Sequence, residues 1–569
     1  MIPKTTGRVV GYGVIVLALV STLGINCFTL AQVVRAKTSV PWADQWVMVQ
    51  DLMRRERGEP LWPILWTPYW GHRLVLPRLL FLADARWLSF TSLTWFTVLL
   101  QFVHIALLIG LAWMLLRRRS PVLFMIAVAV ILNLMLSPFQ MQNFVWGMQT
   151  MFPLVFLAAT GAFLSLSVGG IASLAFCIAL GFVASYTMPN GILVWPVLVV
   201  QAIYLKQNRK AAALALIGAV VIVSYLWHYT RPLEIGMGVG GILQHPINAL
   251  LLVGLIVGSP FRLTIEADVL VGMMALFLGG YIFIKALFLP MHERKWFSGL
   301  FALVLFLFLS SLTLVAGRLT QKDLHSPLID LLPGSYFTMI CLFWVSIALL
   351  VLSTSQGRRF RALLLVCMGA LFVWLMFTSV IRQLIEAEDW ADFFVGSDAV
   401  GSALLLDVPD EQMLSVLWPS ETEREERTMF MRQRHLAMFH EPRAEWLGKR
   451  ISDLFPSLPG RCVGAIEKTV GLDGWWRVEG WAWDIDTSSP PDDVLFTDAS
   501  GRVIGLARGG LRHGYIIGFS ADLQPPPPSH VGFRHSEYLG YVRQAGDSQI
   551  AQVSLYGLFR SQGKVCAIR

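Results

Sequence analysis

The sequence predicts a polytopic α-helical membrane protein of about eleven transmembrane helices with an extracytoplasmic β-sandwich at its C-terminus. Three observations predict it. Apolar residues make up 55% of the 569, only 14% are charged, and the mean hydropathy is +0.61, far from a soluble balance. Apolar runs of about 20 residues, the length that crosses a bilayer, recur between residues 9 and 382. From about residue 461 the pattern changes to short strand-like runs separated by turn residues.

Backbone polar groups inside a bilayer must be satisfied within the chain, so the runs are helices. Spans are expected at 9–31, 93–116, 121–137, 152–168, 171–187, 192–205, 211–229, 268–290, 297–316, 335–353 and 362–382. The first follows Lys4 and Arg8 and reads as an uncleaved span. A signal peptide ending near TLAQ (29–32) is the alternative, and either reading puts residue 40 outside. With the N-terminus cytoplasmic, the positive-inside rule keeps RRR (117–119) and KQNRK (206–210) inside. MHERK (291–295) and GRRFR (357–361) also stay inside if 247–261, interrupted by Gly254, Gly258 and Pro260, dips in without crossing. Everything after residue 383 is then expected outside.

Three regions follow. Residues 1–382 form the membrane module, and its first external loop, 32–92, carries interfacial helices at about 41–57 and 73–90. Pro41 lies in the first turn of the former and Gly58 just past its end. Residues 383–460 read as a charged helical linker and 461–569 as the sandwich, with a hairpin turn at Asp-Ala-Ser-Gly (498–501) and a rigid PPPP connector at 525–528. Of six cysteines, Cys27, Cys177, Cys341 and Cys367 lie in spans as small packing residues, whereas Cys462 and Cys566 flank the tail. Outside the cytoplasm those two suit a disulfide. No CxxC or HExxH spacing occurs, and the formal charge of +8 reflects topogenic Lys and Arg, not nucleic-acid binding.

The stretch PWADQW (41–46) places Asp44 just past the first span between Trp42 and Trp46. One reading is a helix-start acid complementing the macrodipole, with tryptophans as interfacial anchors. The other is a general base, since no cation follows Asp44 at the helical pairing spacings. Asp51 has Arg54 and Arg55 at those spacings and reads as structural. In YWGHRLVLPRLL, His72, Arg73 and Arg78 either meet lipid headgroups or hold a phosphate. Residues 138–151, PFQMQNFVWGMQTM, hold Gln140, Gln142, Asn143, Trp146 and Gln149 without a charge. That is either a polar turn or a site for sugar hydroxyls, and Asn190 in YTMPNGILVWP is similar. Arg318, Lys322 and Arg262 sit at expected outer edges of the membrane and either snorkel or hold a lipid phosphate.

WADQW, WGHRLVLPRLLFLAD, NFVWGMQ and AGR (316–318) resemble blocks of bacterial members of the GT-C superfamily of polyprenol-dependent glycosyltransferases. The resemblance covers roughly the first 380 residues and includes the acid after span one, the long first external loop and a soluble tail. It implies a sugar donor on a polyprenyl phosphate, Asp44 as general base on the acceptor hydroxyl, and Arg73 and Arg318 on the donor phosphate. Many members carry a second acid in the next external loop, sometimes with a divalent metal. Residues 138–151 have none, so neither metal nor other cofactor is expected. The implied acceptor is a cell-envelope glycan, glycolipid or protein. The tail resembles the carbohydrate-binding sandwiches appended to such enzymes, including arabinofuranosyltransferases.

Two other classes compete. A transporter or flippase of lipid-linked sugars usually has paired broken helices and acids within its spans, and these spans are nearly free of Asp and Glu. A polysaccharide-binding assembly protein needs fewer spans than this for anchoring.

Overall fold

The structure is a computed structural model. It describes residues 4–117, 120–229, 238–261, 263–318, 336–354, 358–455, 461–512, 535–544, 553–560 and 563–569. The helices in chain order begin with α1 (Lys4–Ala36), α2 (Gln45–Glu56), α3 (Leu61–Trp66), α4 (Val75–Leu88), α5 (Leu93–Leu116), α6 (Pro121–Met135) and α7 (Met141–Val145). Next come α8 (Met151–Val168), α9 (Ile171–Ser185), α10 (Val194–Tyr204), α11 (Asn208–Leu226), α12 (Gly238–Gln244), α13 (Pro246–Gly258) and α14 (Ile265–Leu287). The last are α15 (Met291–Arg318), α16 (Phe337–Thr354), α17 (Arg358–Leu406), α18 (Glu411–Leu414), α19 (Glu421–Gln433) and α20 (Ile451–Leu454).

Seven stretches among the described residues are long and apolar enough to cross a membrane: 18–36, 93–116, 121–145, 147–168, 208–226, 265–287 and 294–317. The apolar stretches 171–185, 189–204 and 337–353 are shorter. With 15 residues and a rise of about 1.5 Å each, α9 spans less than the roughly 30 Å hydrocarbon core. Residues 138–151 are more than a turn between helices. They form two short 3-10 helices around α7 and are buried apart from Trp146 and Met151, which are half-buried.

The 247–261 segment also differs from expectation. α12 and α13 meet at 108°, yet Gly254 and Gly258 do not interrupt α13. They form a G-x-x-x-G face that lets the α14 backbone approach closely, as small residues do between membrane helices. A Cβ on Gly258 would lie 1.8 Å from the Asp268 carbonyl oxygen, and one on Gly272 would lie 1.8 Å from that of Gly254.

Contacts divide the chain into two compact units. The first holds 1–32, 60–80 and 94–387, and the second holds 33–59, 81–93 and 388–569. Parts of the 32–92 segment therefore group with the C-terminal region. The cause is amphipathic α2, which buries Trp46, Met48, Val49 and Met53.

The C-terminal sheet lies in the second unit, with strands β1 (Cys462–Leu472), β2 (Trp475–Asp484), β3 (Asp493–Thr497), β4 (Val503–Leu511), β5 (Glu537–Arg543), β6 (Ser554–Phe559) and β7 (Lys564–Ala567). They form one antiparallel sheet in the order β1-β2-β5-β4-β3-β6-β7. Its two ends meet. Cys462 bridges Ile568, the Arg569 N–H donates to the Cys462 carbonyl at 3.1 Å, and Cys462 and Cys566 are bonded with Cα atoms 5.9 Å apart. A sheet closed this way hides the edges that would otherwise pair with other chains. Val478, Ala482, Val494, Phe496, Ala507, Tyr538 and Val542 fill its interior. Asp498 turns β3 into β4, its carboxylate accepting the N–H groups of Ser500 and Arg502.

The disulfide closes a separation of 104 residues, so replacing Cys462 and Cys566 by Ser should cost about 2–5 kcal/mol through the unfolded chain. Denaturant unfolding of the full-length protein, with and without reductant, measures this. Equal midpoints would show that the hydrogen bonds alone hold the ends together.

Candidate functional site

Asp44 owes its place to the residue before it. Ala43 has φ +47°, a left-handed backbone that a non-glycine residue adopts only when its surroundings compel it. Helix α2 therefore starts at Gln45, not at Pro41 as its proline suggests. Three bonds compensate. The Ala43 N–H donates to the Leu417 carbonyl at 3.1 Å, Trp46 Nε1 donates to the Pro41 carbonyl at 2.9 Å, and the Trp42 N–H donates to Gln45 Oε1 at 3.3 Å. Asp44 occupies the N-cap position, where an aspartate normally accepts an N–H from the first turn. Its carboxylate makes no such bond, so capping does not account for an acid at this position.

An aromatic cluster surrounds Trp42, two residues before Asp44. Trp42 meets Phe393 at 4.9 Å, Phe394 at 5.5 Å and Trp390 at 6.4 Å, all edge-on. The segment leading to Asp44 is tied to the same part of α17. Arg35 pairs with buried Asp392, which also meets Arg512 Nε at 3.2 Å. The Thr38 hydroxyl donates to Asp398 at 3.1 Å, and Val40 packs on Gly401, where a Cβ would lie 2.3 Å from Val40 Cγ2. Asp398 pairs with Arg443 and with Arg508 at 3.1 Å. Burial works to raise the Asp398 carboxyl, but Arg443 and Arg508 outweigh it and hold the group at about 2. At Asp392 burial prevails over Arg35 and Arg512, and its carboxyl lies above the ordinary range. Sequence reading missed this whole support. One signal was present: WADFF (390–394) repeats the opening of WADQW.

Asp51 is buried, with Arg54 Nη1 3.5 Å from its carboxylate, a structural pair.

The cations and amides of the first unit sort differently from expectation. Tyr69 and His72 exchange backbone bonds of 2.9 and 2.7 Å around Trp70 (φ +47°) and Gly71 (φ +73°), making a tight turn that delivers Arg73 inward. Arg73 is only 1% exposed. Its Nε donates to the Tyr225 carbonyl at 2.6 Å, Nη1 to that of Trp66 at 2.5 Å, and Nη2 to that of Trp227. These carbonyls lie at the ends of α3 and α11, where a helix leaves acceptors without partners. Arg73 thus serves main-chain acceptors. Arg78 does the same for the carbonyls of Leu65 and Thr67. Arg318 closes α15, and Lys322 and Arg262 lie outside the described residues.

Asn143 is a brace as well. Its Nδ2 donates to Thr338 Oγ1 at 2.9 Å, and that hydroxyl donates to Gln140 Oε1 at 2.7 Å. Gln140 in turn donates to the Leu134 and Met135 carbonyls. Gln142 and Gln149 are buried, and their Oε1 atoms have no hydrogen-bond partner among the described residues. Asn190 donates to Ser310 Oγ at 3.2 Å and leaves its Oδ1 in the same condition. Those three oxygens are acceptors that a hydroxyl ligand can use. Asp44 belongs to the second unit, whereas His72, Arg73, Gln142, Asn143, Trp146, Gln149, Asn190 and Arg318 belong to the first. No group of three or more His, Cys, Asp or Glu side chains suited to a metal occurs among the described residues. Comparison with family models, curated proteins and solved structures finds no match.

Near the end of α4, Asp84 is buried and accepts the Ser92 N–H at 3.2 Å, with no ion pair among the described residues. Burial pushes its carboxyl up to about 6. The folded chain then keeps a proton that the unfolded chain releases, so the contribution of Asp84 to stability is fullest below about pH 4 and is lost as pH rises to 6. Asp84→Asn should flatten that slope and add about 2 kcal/mol at neutral pH. Unfolding midpoints from pH 4 to 7 test it, and an unchanged slope would show that Asp84 titrates normally.

Proposed function

We propose that this protein is a membrane glycosyltransferase using a polyprenyl-phosphate sugar as donor and a cell-envelope glycan, glycolipid or protein as acceptor. The observation that carries the reading is Asp44, an acid at a helix start that does not cap its helix, follows a left-handed residue, and lies two residues after Trp42 with its aromatic cluster. A carboxylate close in the chain to indole and phenyl rings suits a sugar, which offers hydroxyls to the acid and apolar C–H faces to the rings.

The donor is already activated, because its leaving group is a stabilised phosphate. Asp44 takes the proton of the acceptor hydroxyl as that oxygen bonds to the anomeric carbon, and the carbon–oxygen bond to phosphate breaks with its electron pair leaving on the phosphate. One displacement inverts the anomeric configuration. Cations fit the departing charge. With Arg73 occupied by carbonyls, that role is assigned to Arg318, Lys322 and Arg262, and no metal is required. Gln142, Gln149 and Asn190 offer acceptors to substrate hydroxyls. The apolar helices suit eleven crossings of a bacterial cytoplasmic membrane if the three shorter ones and residues 362–382 of α17 cross too, with the N-terminus cytoplasmic and the sheet domain periplasmic.

Purified full-length protein, given a panel of polyprenyl-phosphate sugars, should consume one of them. Asp44→Asn should consume it about 10²–10⁴-fold more slowly while melting at the same temperature. Equal rates would remove Asp44 from the chemistry, and a product retaining the donor configuration would exclude the single displacement.

A further inference from the structure

Three helix ends converge in the first unit. α10 stops at Tyr204, α14 stops at Leu287, and α15 begins at Met291. The Tyr204 hydroxyl donates to the Ala286 carbonyl at 2.5 Å. Arg294, in the first turn of α15, lies over the Tyr204 ring at 5.0 Å. Its Nε donates to the Leu289 carbonyl at 2.7 Å, Nη2 to that of Leu287 at 3.1 Å and Nη1 to that of Tyr204 at 3.4 Å. One guanidinium thus ties the three ends together through carbonyls that helix ends leave without partners.

The same junction gathers charge of one sign. Lys206 follows α10, Lys285 lies in the last turn of α14, and Lys295 is next to Arg294; all three lysines are exposed. Residues 186–215 and 269–300 together hold six Lys and Arg against a single acid, Glu293. Beside the cations the surface turns apolar. The membrane-crossing stretch of α14 ends at Leu287 and that of α15 begins at Arg294, so the cations mark the edge of the hydrocarbon. Ile203, Ile284, Leu287 and Phe288 are exposed there, Phe288 by 81%.

These two features select the ligand. A soluble phosphate would use the cations and leave the apolar side chains uncovered, whereas a lipid with a negative head uses both. A zwitterionic head carries a cation of its own, which this excess of positive charge disfavours. We propose that the junction binds an anionic phospholipid, its phosphate meeting Lys206, Lys285 and Lys295 and its acyl chains covering the exposed apolar side chains of α10 and α14. The lipid bridges three separate chain segments, so its binding stabilises the fold. Nothing in this assignment depends on the transferase reading.

The test follows full-length protein by native mass spectrometry and thermal melting with phosphatidylglycerol or phosphatidylcholine of identical acyl chains. Phosphatidylglycerol should be retained about a hundredfold better, roughly fivefold for each lysine, and should raise the melting temperature. Lys206→Asn, which suits the left-handed backbone at that position (φ +56°), combined with Lys285→Gln and Lys295→Gln, should abolish the preference and leave the melting temperature in phosphatidylcholine unchanged. The three single substitutions give the same reading in smaller steps should the triple variant not fold. Lys449→Gln, Lys468→Gln and Lys564→Gln remove equal charge from the second unit and should keep the preference. Equal retention of both lipids by the wild type, or full preference in the lysine variants of the junction, would overturn the proposal. An equal loss in the second-unit variant would overturn it in favour of net charge alone. Displacement of the lipid by millimolar glycerophosphoglycerol, the headgroup without chains, would overturn it in favour of a soluble phosphate ligand.

Discussion

The placement of Asp44 depends on two carboxylates buried on α17. Asp392 holds Arg35, and Asp398 holds Thr38 together with Arg443 and Arg508, so the chain from 35 to 46 is pinned at both carboxylates before Asp44 is reached. Buried ion pairs of this kind contribute little net stability, because desolvation offsets most of the attraction. What they supply here is definition. Removing one partner leaves a charge without compensation, at a cost of about 3–5 kcal/mol, so alternative placements of the segment are excluded by a wide margin. The strained φ of Ala43 persists inside that frame.

A second constraint governs the first unit: main-chain acceptors away from water need donors. Arg73 and Arg78 satisfy carbonyls at helix ends, and Gln140 serves those of Leu134 and Met135. Asn143 reaches this network through Thr338. These four side chains, of types that suggest ligand binding in a sequence, are here part of the scaffold. The result is a polar interior whose members fix helix ends.

Features set by local pattern were legible. Apolar length marked the long helices, the Asp-Ala-Ser-Gly turn marked the β3–β4 hairpin, and the composition change near 461 marked the strands. Features set by distant partners were not. Arg73 finds its carbonyls 152 residues away at Tyr225, and nothing near YWGHR announces them. The pairing of Cys462 with Ile568 cannot be read from alternation along single strands, although the cysteines at the two ends of the tail, expected to bond and bonded in the structure, announced that those ends meet. Gly254 and Gly258 read as helix breakers by propensity, but close packing against Gly272 gives them their place. At the candidate site, the acid and its tryptophans could be seen in WADQW, whereas the cluster of Trp390, Phe393 and Phe394 came from a region read only as a linker.

The central claim is that Asp44 meets the reacting hydroxyl. The most direct measurement is a structure of the full-length protein with a non-transferable polyprenyl-phosphonate sugar and a short acceptor glycan. The account predicts an acceptor hydroxyl within about 2.6–3.2 Å of the Asp44 carboxylate, with a sugar face against Trp42 or Trp390. An acceptor bound with its reacting hydroxyl beyond the reach of Asp44, even through one water, would contradict it.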